Sequence, residues 1–265
     1  MKSFILARSP IPTVDKDQSL SNAVEIMEYE GLSALPVLDD GRFVGIVTVR
    51  DILSRIWGER VRMISLSSLY VSSVMKTDIP IVSLDSSLFE ASELMIKHGL
   101  IAIPIINNGK PVGMIFEEDF PKLFLDSNAD SSEFIIRNPR IVDIDSSLLN
   151  VRLLMLKENL RFIPVVKGER FVGVVRDFDI VTVLKFIQDK VSSQHRVSRV
   201  KSLRASDVMR STKAYFYGYP PISVVAKLIL DEGGLGAVAL NEDNSVLGIV
   251  NVRIFIKMLL SWGFV

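Results

Sequence analysis

The sequence contains no cysteine and only two histidines, and this scarcity removes several kinds of active site. Without cysteine the chain has no disulfide framework, no cysteine-bound zinc and no thiol catalysis. His98 and His195 lie far apart in the sequence and belong to no metal-binding pattern. No nucleophile–base pair and no phosphate-binding P-loop stands out either. We therefore expect no catalytic site, no metal site and no resident cofactor, and we predict that the protein is not an enzyme.

Long apolar runs and an excess of one charge are also missing. Apolar residues make up 48% of the chain, yet no run approaches the roughly 20 residues that span a bilayer. Met1–Leu6 is too short for the core of a signal peptide. The 31 basic residues balance 31 acidic ones, so no strong field draws in nucleic acid or an anionic membrane. These absences predict a cytoplasmic protein with neither a membrane nor a nucleic acid as its partner.

One frame of residues occurs four times along the chain. Its clearest copy is GRFVGIVTVRD at Gly41–Asp51, a pattern typical of a buried strand that runs into a helix. The other copies start at Gly109, at Glu169 and, most weakly, at Ser245. The residue nine positions before the central glycine is proline in three copies and alanine in the fourth: Pro36 and Gly45, Pro104 and Gly113, Pro164 and Gly173, Ala239 and Gly248. This constant offset predicts the same hairpin in all four copies.

Each frame lies in a repeat that we predict to fold in the order β-α-β-β-α. The repeats span about residues 9–57, 74–125, 134–187 and 208–261. In the first, Ser19 is a candidate N-cap, Gly31 ends the helix and Asp39–Gly41 forms a hairpin turn. One repeat is too small to bury both faces of its sheet, so neighbouring repeats should pack sheet to sheet. A polar linker at 126–132 predicts two α/β domains, 1–128 and 129–265.

The junction of strand and helix in the first copy carries a hydroxyl, a guanidinium and a carboxylate, at Thr48, Arg50 and Asp51. A helix start offers free N–H groups to a phosphate. Hydroxyl and guanidinium groups also donate to phosphate, and a carboxylate accepts from sugar hydroxyls. These residues therefore predict a site for a phosphorylated ligand. The alternative is that Thr48 and Asp51 only cap the helix that follows.

The repeats resemble the CBS-domain family, named after cystathionine β-synthase. The residues that carry the resemblance are Leu32–Val37, Gly45–Asp51, Asp78–Val82 and Val208–Met209, and it covers about residues 5–262. The resemblance implies four CBS units that pair into two pseudo-twofold Bateman modules and form a disk, similar to the γ subunit of AMP-activated kinase. In this family the clefts of a module bind adenosine ligands such as AMP, ADP, ATP or S-adenosylmethionine.

The resemblance also implies roles for residues of the first copy. Thr48 matches the hydroxyl near the ribose and phosphate, and Asp51 matches the carboxylate that holds the ribose hydroxyls. The adenine-edge contacts map onto the backbone at Ile11, Pro12, Thr13, Ser33 and Ala34.

The second and fourth copies depart from this pattern. The second keeps Asp119 but has Phe116 at the hydroxyl position, so its cleft is either filled or suited to an apolar ring. The fourth has Asn251 and Ile254 and lacks the ribose carboxylate. We expect the fourth cleft to be empty, or to bind without recognising ribose.

The third copy keeps Asp179 but has Arg176 at the hydroxyl position. Arg140 and Arg161 fall at the positions of Pro12 and Ser33. The three arginines form a candidate grip for a polyphosphate. Equally, Arg176 could pair with Asp179 and close the cleft.

The sequence thus predicts a regulatory protein that binds AMP, ADP, ATP or S-adenosylmethionine and signals to an unknown protein partner through rearrangement of its CBS pairs. The alternative is a CBS scaffold with degenerate clefts that acts through protein–protein contact. The sequence leaves open whether one chain forms the disk or a homodimer does.

Overall fold

The computed structural model describes residues 2–56 and 65–263, and the first two repeats lie in its N-terminal part. The first repeat has the predicted order, and its last helix, α2, ends at Arg55. Residue 57, the predicted end of this repeat, lies outside the described residues. The elements of the first two repeats are β1 (Val14–Asp15), α1 (Leu20–Glu30), β2 (Ala34–Asp39), β3 (Arg42–Thr48), α2 (Val49–Arg55), α3 (Leu88–His98), β4 (Ala102–Asn107) and β5 (Lys110–Phe116).

The second repeat closes differently from the first. A 3-10 helix at Glu117–Phe124 replaces the predicted α-helix and contains Pro121. Proline has no N–H to donate within a helix, which disfavours α-helical hydrogen bonding there. The first strand of this repeat is reduced to a bridge between Val82 and Ile105.

The third and fourth repeats follow the predicted order, with two additions. A short strand, β6, is added at the start of the third repeat, and a helix, α6, occupies the long linker between the third and fourth repeats. The elements are β6 (Ile136–Arg137), β7 (Val142–Asp143), α4 (Leu148–Lys157), β8 (Phe162–Lys167), β9 (Arg170–Arg176), α5 (Asp177–Lys190), α6 (Ser193–Ser202), β10 (Tyr215–Tyr217), α7 (Ile222–Asp231), β11 (Gly236–Leu240), β12 (Val246–Asn251) and α8 (Val252–Trp262).

Local signals account for the ends of the first helix. The Ser19 hydroxyl accepts a hydrogen bond from the Asn22 N–H at 3.2 Å, and Gly31 adopts the left-handed conformation at φ 63°. Ser147 occupies the equivalent N-cap position of α4, but its side chain makes no capping hydrogen bond.

The repeats exchange short segments in pairs. Lys76, at the start of the second repeat, pairs with Ile46 in β3, and Arg8, just before the first repeat, pairs with Met114 in β5. In the C-terminal half, Arg210 pairs with Val174 in β9, and β6 pairs with β12. The exchange is reciprocal, so repeat one pairs with repeat two and repeat three with repeat four. It confirms the predicted pairing into two modules of α/β repeats.

The exchange explains the central glycine of the frame. A Cβ on Gly45 would overlap the carbonyl group of Lys76, and one on Gly173 would overlap the carbonyl oxygen of Arg210. A Cβ on Gly248 would lie 2.7 Å from the Ile136 carbonyl oxygen. Because the exchanged backbone lies directly against the strand, these positions have no room for a side chain.

Sheets of the two C-terminal repeats share a core, as predicted. Phe162 and Val174 of the third repeat pack in one cluster with Leu235, Val238 and Ile249 of the fourth. This packing buries the sheet faces that one repeat cannot cover.

The chain divides into two compact units that interleave along the sequence. One unit comprises residues 1–117, 181–197 and 259–265, and the other comprises 118–180 and 198–258. The domain boundary at residue 128 stays a prediction. Within the described residues, no helix combines the length and the apolar character needed to cross a membrane.

Candidate functional site

Thr48 and Asp51 form a reciprocal cap at the start of α2. The Thr48 hydroxyl donates to Asp51 Oδ2 at 2.6 Å, and the Thr48 N–H donates to the same oxygen at 3.1 Å. In return, the Asp51 N–H donates to the Thr48 hydroxyl at 3.2 Å. Both residues are buried, with 4% and 9% of their surface exposed. The structure therefore shows the capping role, and ligand contact by the same pair stays a prediction.

The second oxygen of Asp51 faces a cation from the exchanged segment. Lys76 Nζ lies 3.1 Å from Asp51 Oδ1, and the Lys76 side chain is 54% exposed. A carboxylate offers about four acceptor positions. Asp51 uses three of them within the described residues: two on Oδ2 and one on Oδ1. One position on Oδ1 is left for a further donor.

The other predicted residues of the first repeat lie on neighbouring segments. Ala34 pairs across the hairpin with Thr48, and the Ser33 carbonyl accepts from the Val49 N–H at 2.9 Å. Ile11–Thr13 are half-buried and lead into β1. Arg50 is half-buried in the first turn of α2. Backbone pairing thus brings Ser33 and Ala34 to the Thr48 junction.

A cleft in the C-terminal pair shows which positions of two repeats face each other. The cleft has a volume of about 120 Å³. Its lining comes from the third repeat at Phe162, Val174 and Arg176, and from the fourth at Arg210–Thr212, Glu232 and Gly234–Gly236. We name each cleft after the repeat that supplies its hydroxyl and carboxylate positions, so this is the third cleft.

Leu235 corresponds to Ser33, because its carbonyl accepts from the first N–H of the following helix, Val252, at 3.0 Å. In the third cleft this position faces the junction of the partner repeat. The first pair of repeats shows the same arrangement. Arg8 donates to the Gly31 carbonyl of the first repeat at 3.1 Å and also lies over the Phe116 ring of the second repeat. The Ser33 side chain is therefore expected to face the second cleft. Its hydroxyl is buried and has no hydrogen-bond partner among the described residues.

The second cleft contains an aromatic ring where the first has a hydroxyl. Phe116 is fully buried, and the Arg8 guanidinium lies 4.7 Å from its ring centre. Asp119 pairs with Lys122 at 2.6 Å. The sequence left open whether this cleft is filled or is suited to an apolar ring of a ligand. The buried Phe116 ring agrees with a filled cleft.

In the third cleft, both oxygens of Asp179 are held by arginines. Arg176 donates through Nε to Oδ2 at 3.1 Å and through its terminal nitrogen to Oδ1 at 3.0 Å. Arg210 Nε lies 2.6 Å from Oδ1, and the Arg176 N–H lies 3.2 Å from Oδ2. The structure thus has the Arg176–Asp179 pair that the sequence left as an alternative.

The three predicted arginines of the third repeat do not converge. Arg140 is exposed and pairs with Glu158 at 3.3 Å. Arg161 pairs instead with Glu118 at 2.8 Å and with Asp177 at 3.1 Å. Each of the three therefore has its own carboxylate, and the structure shows no shared grip.

Asp177 is a buried carboxylate at the start of α5. Burial raises the pKa of its carboxyl group, and the charge and hydrogen bond of Arg161 oppose the shift. The Arg161–Asp177 ion pair occupies the positions of Ser33 and Val49 in the first repeat. The charges of Arg161 and Asp177 are therefore paired with each other inside the protein.

The fourth cleft lacks both charges of the first. Ile254 stands at the carboxylate position, and the Asn251 side chain caps α8 by accepting from the Ile254 N–H at 3.3 Å. Ile136 stands where Lys76 and Arg210 stand in their exchanged segments. The carboxylate and its cation are thus absent together.

Sequence reasoning missed Lys76 and Arg210, which reach the carboxylates from the partner repeat. The only signal available was their shared place at the start of the second and fourth repeats, directly after a Val-Met pair. Across residues 2–56 and 65–263, no group of three or more histidine, aspartate or glutamate side chains could hold a metal ion.

Comparison with known proteins identifies the repeats. The CBS domain model matches residues 3–58, 71–125 and 132–185, which is more than half of the chain. The fourth repeat is not matched by this model, but the structure gives it the same element order and the same exchanged segment.

Relatives match either the whole chain or a part of it. The crystal structure of protein MJ1225 from Methanocaldococcus jannaschii, described as a candidate archaeal homologue of g-AMPK, is 19% identical with a TM-score of 0.85, over 98% of this chain and all of that one. An uncharacterised protein of the same organism is 27% identical over 195 residues, which are 66% of this chain. The chain spans 45% of that relative's length. The cyclic di-AMP receptor B of Bacillus subtilis is 26% identical over 102 residues, which are 38% of this chain and 69% of the receptor.

Proposed function

Because the chain belongs to the CBS-domain family, we propose that it is a regulatory protein that binds an adenosine nucleotide in its first cleft. The bound nucleotide alters the packing of the paired repeats, and a protein partner responds to that change. AMP, ADP, ATP and S-adenosylmethionine are the candidate ligands.

The observation that carries this proposal is the spare acceptor position on Asp51. Asp51 Oδ1 has one described donor, the exposed Lys76 ammonium. A ribose hydroxyl can donate to the same oxygen without breaking the Thr48–Asp51 cap. The Asp51 side chain is only 11% exposed, so displacing Lys76 would leave a largely buried carboxylate without its cation. We therefore place the ribose hydroxyl at the spare position, with Lys76 still in contact.

Positive charge for the phosphate is available beside the ribose position. Lys76 is exposed and contacts Asp51, and Arg50 follows Thr48 by two residues. A charge-assisted hydrogen bond from such groups contributes about 1.5–3 kcal/mol. The similarity to the cyclic di-AMP receptor B of Bacillus subtilis supports an adenosine ligand.

A thermal-shift panel tests the proposal. Purified protein, shown to be free of carried-over nucleotide, is heated with AMP, ADP, ATP, S-adenosylmethionine or GTP. A ligand at 100 times its dissociation constant stabilises the folded state by about 2.7 kcal/mol. At roughly 2–4 °C per kcal/mol, the midpoint should rise by several degrees. A rise confined to adenosine ligands supports the proposal, and an equal rise with GTP contradicts it.

A scaffold function is the second candidate, and surface aromatics favour it. Tyr215, Tyr217 and Tyr219 are 37%, 48% and 51% exposed along and just after the edge strand β10. Exposed tyrosines are enriched at protein interfaces. A scaffold predicts a flat nucleotide panel, together with loss of partner binding when Tyr217 is changed to serine.

A further inference from the structure

We propose that the third cleft binds a small oxyanion, such as phosphate or pyrophosphate, and does not bind a nucleoside. This site stands on its own observations, whether or not the first cleft takes a nucleotide. Its working groups are the guanidinium groups of Arg176 and Arg210.

Size is the first argument. The third cleft has a volume of about 120 Å³, whereas sites for ligands of nucleotide size measure roughly 300–1,000 Å³. The Phe162 ring takes up the missing space: a Cβ on Gly236 would lie 2.5 Å from its Cε1 atom. Phe162 occupies the position of Ala34 in the first repeat, because it pairs with Arg176 as Ala34 pairs with Thr48.

Saturation of Asp179 is the second argument. Its two oxygens accept three hydrogen bonds from Arg176, through the N–H, Nε and a terminal nitrogen, and Oδ1 also forms an ion pair with Arg210 Nε at 2.6 Å. A carboxylate offers about four acceptor positions. No position is left for a ribose hydroxyl, so Asp179 does not have the spare capacity of Asp51.

Donor groups of Arg210 support an anion site as well, whereas the Arg176 guanidinium already donates to Asp179 and, at 3.5 Å, to the Gly233 carbonyl. Arg210 contacts Asp179 through Nε, and its four terminal N–H groups have no acceptor among the described residues. Its side chain is 57% exposed, and that of Arg176 is 20% exposed. Both arginines line the cleft. A planar guanidinium group donates two parallel hydrogen bonds to a phosphate, which suits it to this ligand.

The charge of the lining limits what the site can hold. The positive charges of Arg176 and Arg210 exceed the negative charge of Asp179 by one. Glu232 also lines the cleft, and its carboxylate accepts from the Thr212 hydroxyl at 3.1 Å. Glu232 weakens the attraction for an anion at its side of the cleft. We therefore place the oxyanion on the Arg176 and Arg210 side.

Calorimetric titration with pyrophosphate tests the site. We expect binding to the full-length protein, and at least tenfold weaker binding to Arg210→Met. Arg140→Met is the matched control: it removes an exposed arginine of the same compact unit that lies outside the cleft, and it should leave the affinity unchanged. No binding to the parent protein, or equal binding to Arg210→Met, would overturn the proposal.

Asp179→Asn gives a second test that does not depend on losing a function. Asparagine has no negative charge to compete for the two guanidinium groups, so pyrophosphate should bind this variant more tightly. If Asp179 instead holds a ribose, the variant should lose AMP and gain nothing for pyrophosphate. Weaker pyrophosphate binding by Asp179→Asn would contradict the proposal.

The Phe162 ring, which limits the volume of the third cleft, can be removed by substitution. Phe162→Ala should enlarge the cleft without removing a charge, so pyrophosphate binding should persist. Asp51→Ala should also leave it intact, because Asp51 lies in the other pair. A loss of pyrophosphate binding in Asp51→Ala would place the anion in the first cleft and overturn the inference, whereas a flat adenosine panel would contradict the proposed function alone.

Discussion

Replacing Gly45 with alanine should disrupt the exchange between the first two repeats. The new Cβ would overlap the Lys76 carbonyl and approach Thr77 Cα at 3.2 Å. These are backbone atoms, and they cannot move without straining two hydrogen bonds: Ile46 N–H to Lys76 O at 3.0 Å and Lys76 N–H to Ile46 O at 2.8 Å. Local rotation of a side chain cannot relieve the overlap.

The expected cost combines three contributions. Overpacking costs about 1–3 kcal/mol, and weakening two backbone hydrogen bonds adds about 0.5–1.5 kcal/mol for each bond that is lost. The lower entropy of the unfolded chain after Gly→Ala returns about 0.4–1 kcal/mol. The net loss is about 3 kcal/mol. This corresponds to a fall in the melting midpoint of about 6–12 °C.

Gly113→Ala is the matched control, because it changes the same position of the second repeat. Its Cβ would lie 3.3 Å from the Arg8 carbonyl oxygen and 3.4 Å from Ala7 Cβ, so shifts of a few tenths of an ångström suffice. We expect a change within about 1 kcal/mol of zero, since the entropic gain offsets the mild crowding. Urea unfolding of both variants measures the difference. Equal losses for the two would refute the role assigned to the exchanged backbone.

Three further predictions concern the sites and the core. Asp51→Ala should weaken adenosine nucleotide binding about tenfold or more, because it removes a charge-assisted acceptor, whereas Asp119→Ala should change the affinity less than twofold. Calorimetry below the melting range separates the lost ligand contact from the destabilisation caused by the lost helix cap. Equal effects of the two substitutions on affinity would contradict the prediction. Burial raises the pKa of Asp177 in the folded state, so the folded state binds the Asp177 proton more tightly than the unfolded state does. Asp177 therefore contributes less stability as pH rises from its unfolded pKa of about 3.9 through the folded value. The unfolding free energy of the parent minus that of Asp177→Asn should fall over this pH window, and a rise would refute the prediction. Gln188→Ala should cost about 1–3 kcal/mol in urea unfolding, because the Leu66 N–H, which donates to Gln188 Oε1 at 2.9 Å, would lose its partner; an unchanged midpoint would show that water replaces the amide.

The hairpins and helices were predictable because their causes are local. Asp40 and Gly41, both at positive φ, form the turn that the Asp-Gly pair predicts. The nine-residue offset between Pro36 and Gly45 is constant because these residues lie on paired strands of one hairpin. The 3-10 helix of the second repeat had a visible signal in Pro121, which the repeat pattern outweighed.

The cation partners of the carboxylates were not predictable in the same way. Lys76 and Arg210 reach Asp51 and Asp179 through backbone pairing of exchanged segments, and backbone pairing leaves no periodic pattern of side chains. The Arg176–Asp179 pair is a local contact, three residues apart, and the sequence offered it as an alternative. The closure of the third cleft also needs Phe162, whose placement against Gly236 depends on the packing of two repeats.

The most direct test of the central claim is the stoichiometry of AMP and ATP binding by calorimetry on nucleotide-free protein. Asp51 combines a spare acceptor position with an exposed cation, whereas the oxygens of Asp179 are held by arginines and the fourth repeat has Ile254 in place of the carboxylate. We therefore predict one adenosine nucleotide per chain, with affinity at least tenfold weaker in Asp51→Ala and retained in Asp179→Asn. No binding by the parent protein, or full binding by Asp51→Ala, would contradict the assignment of the first cleft as the nucleotide site.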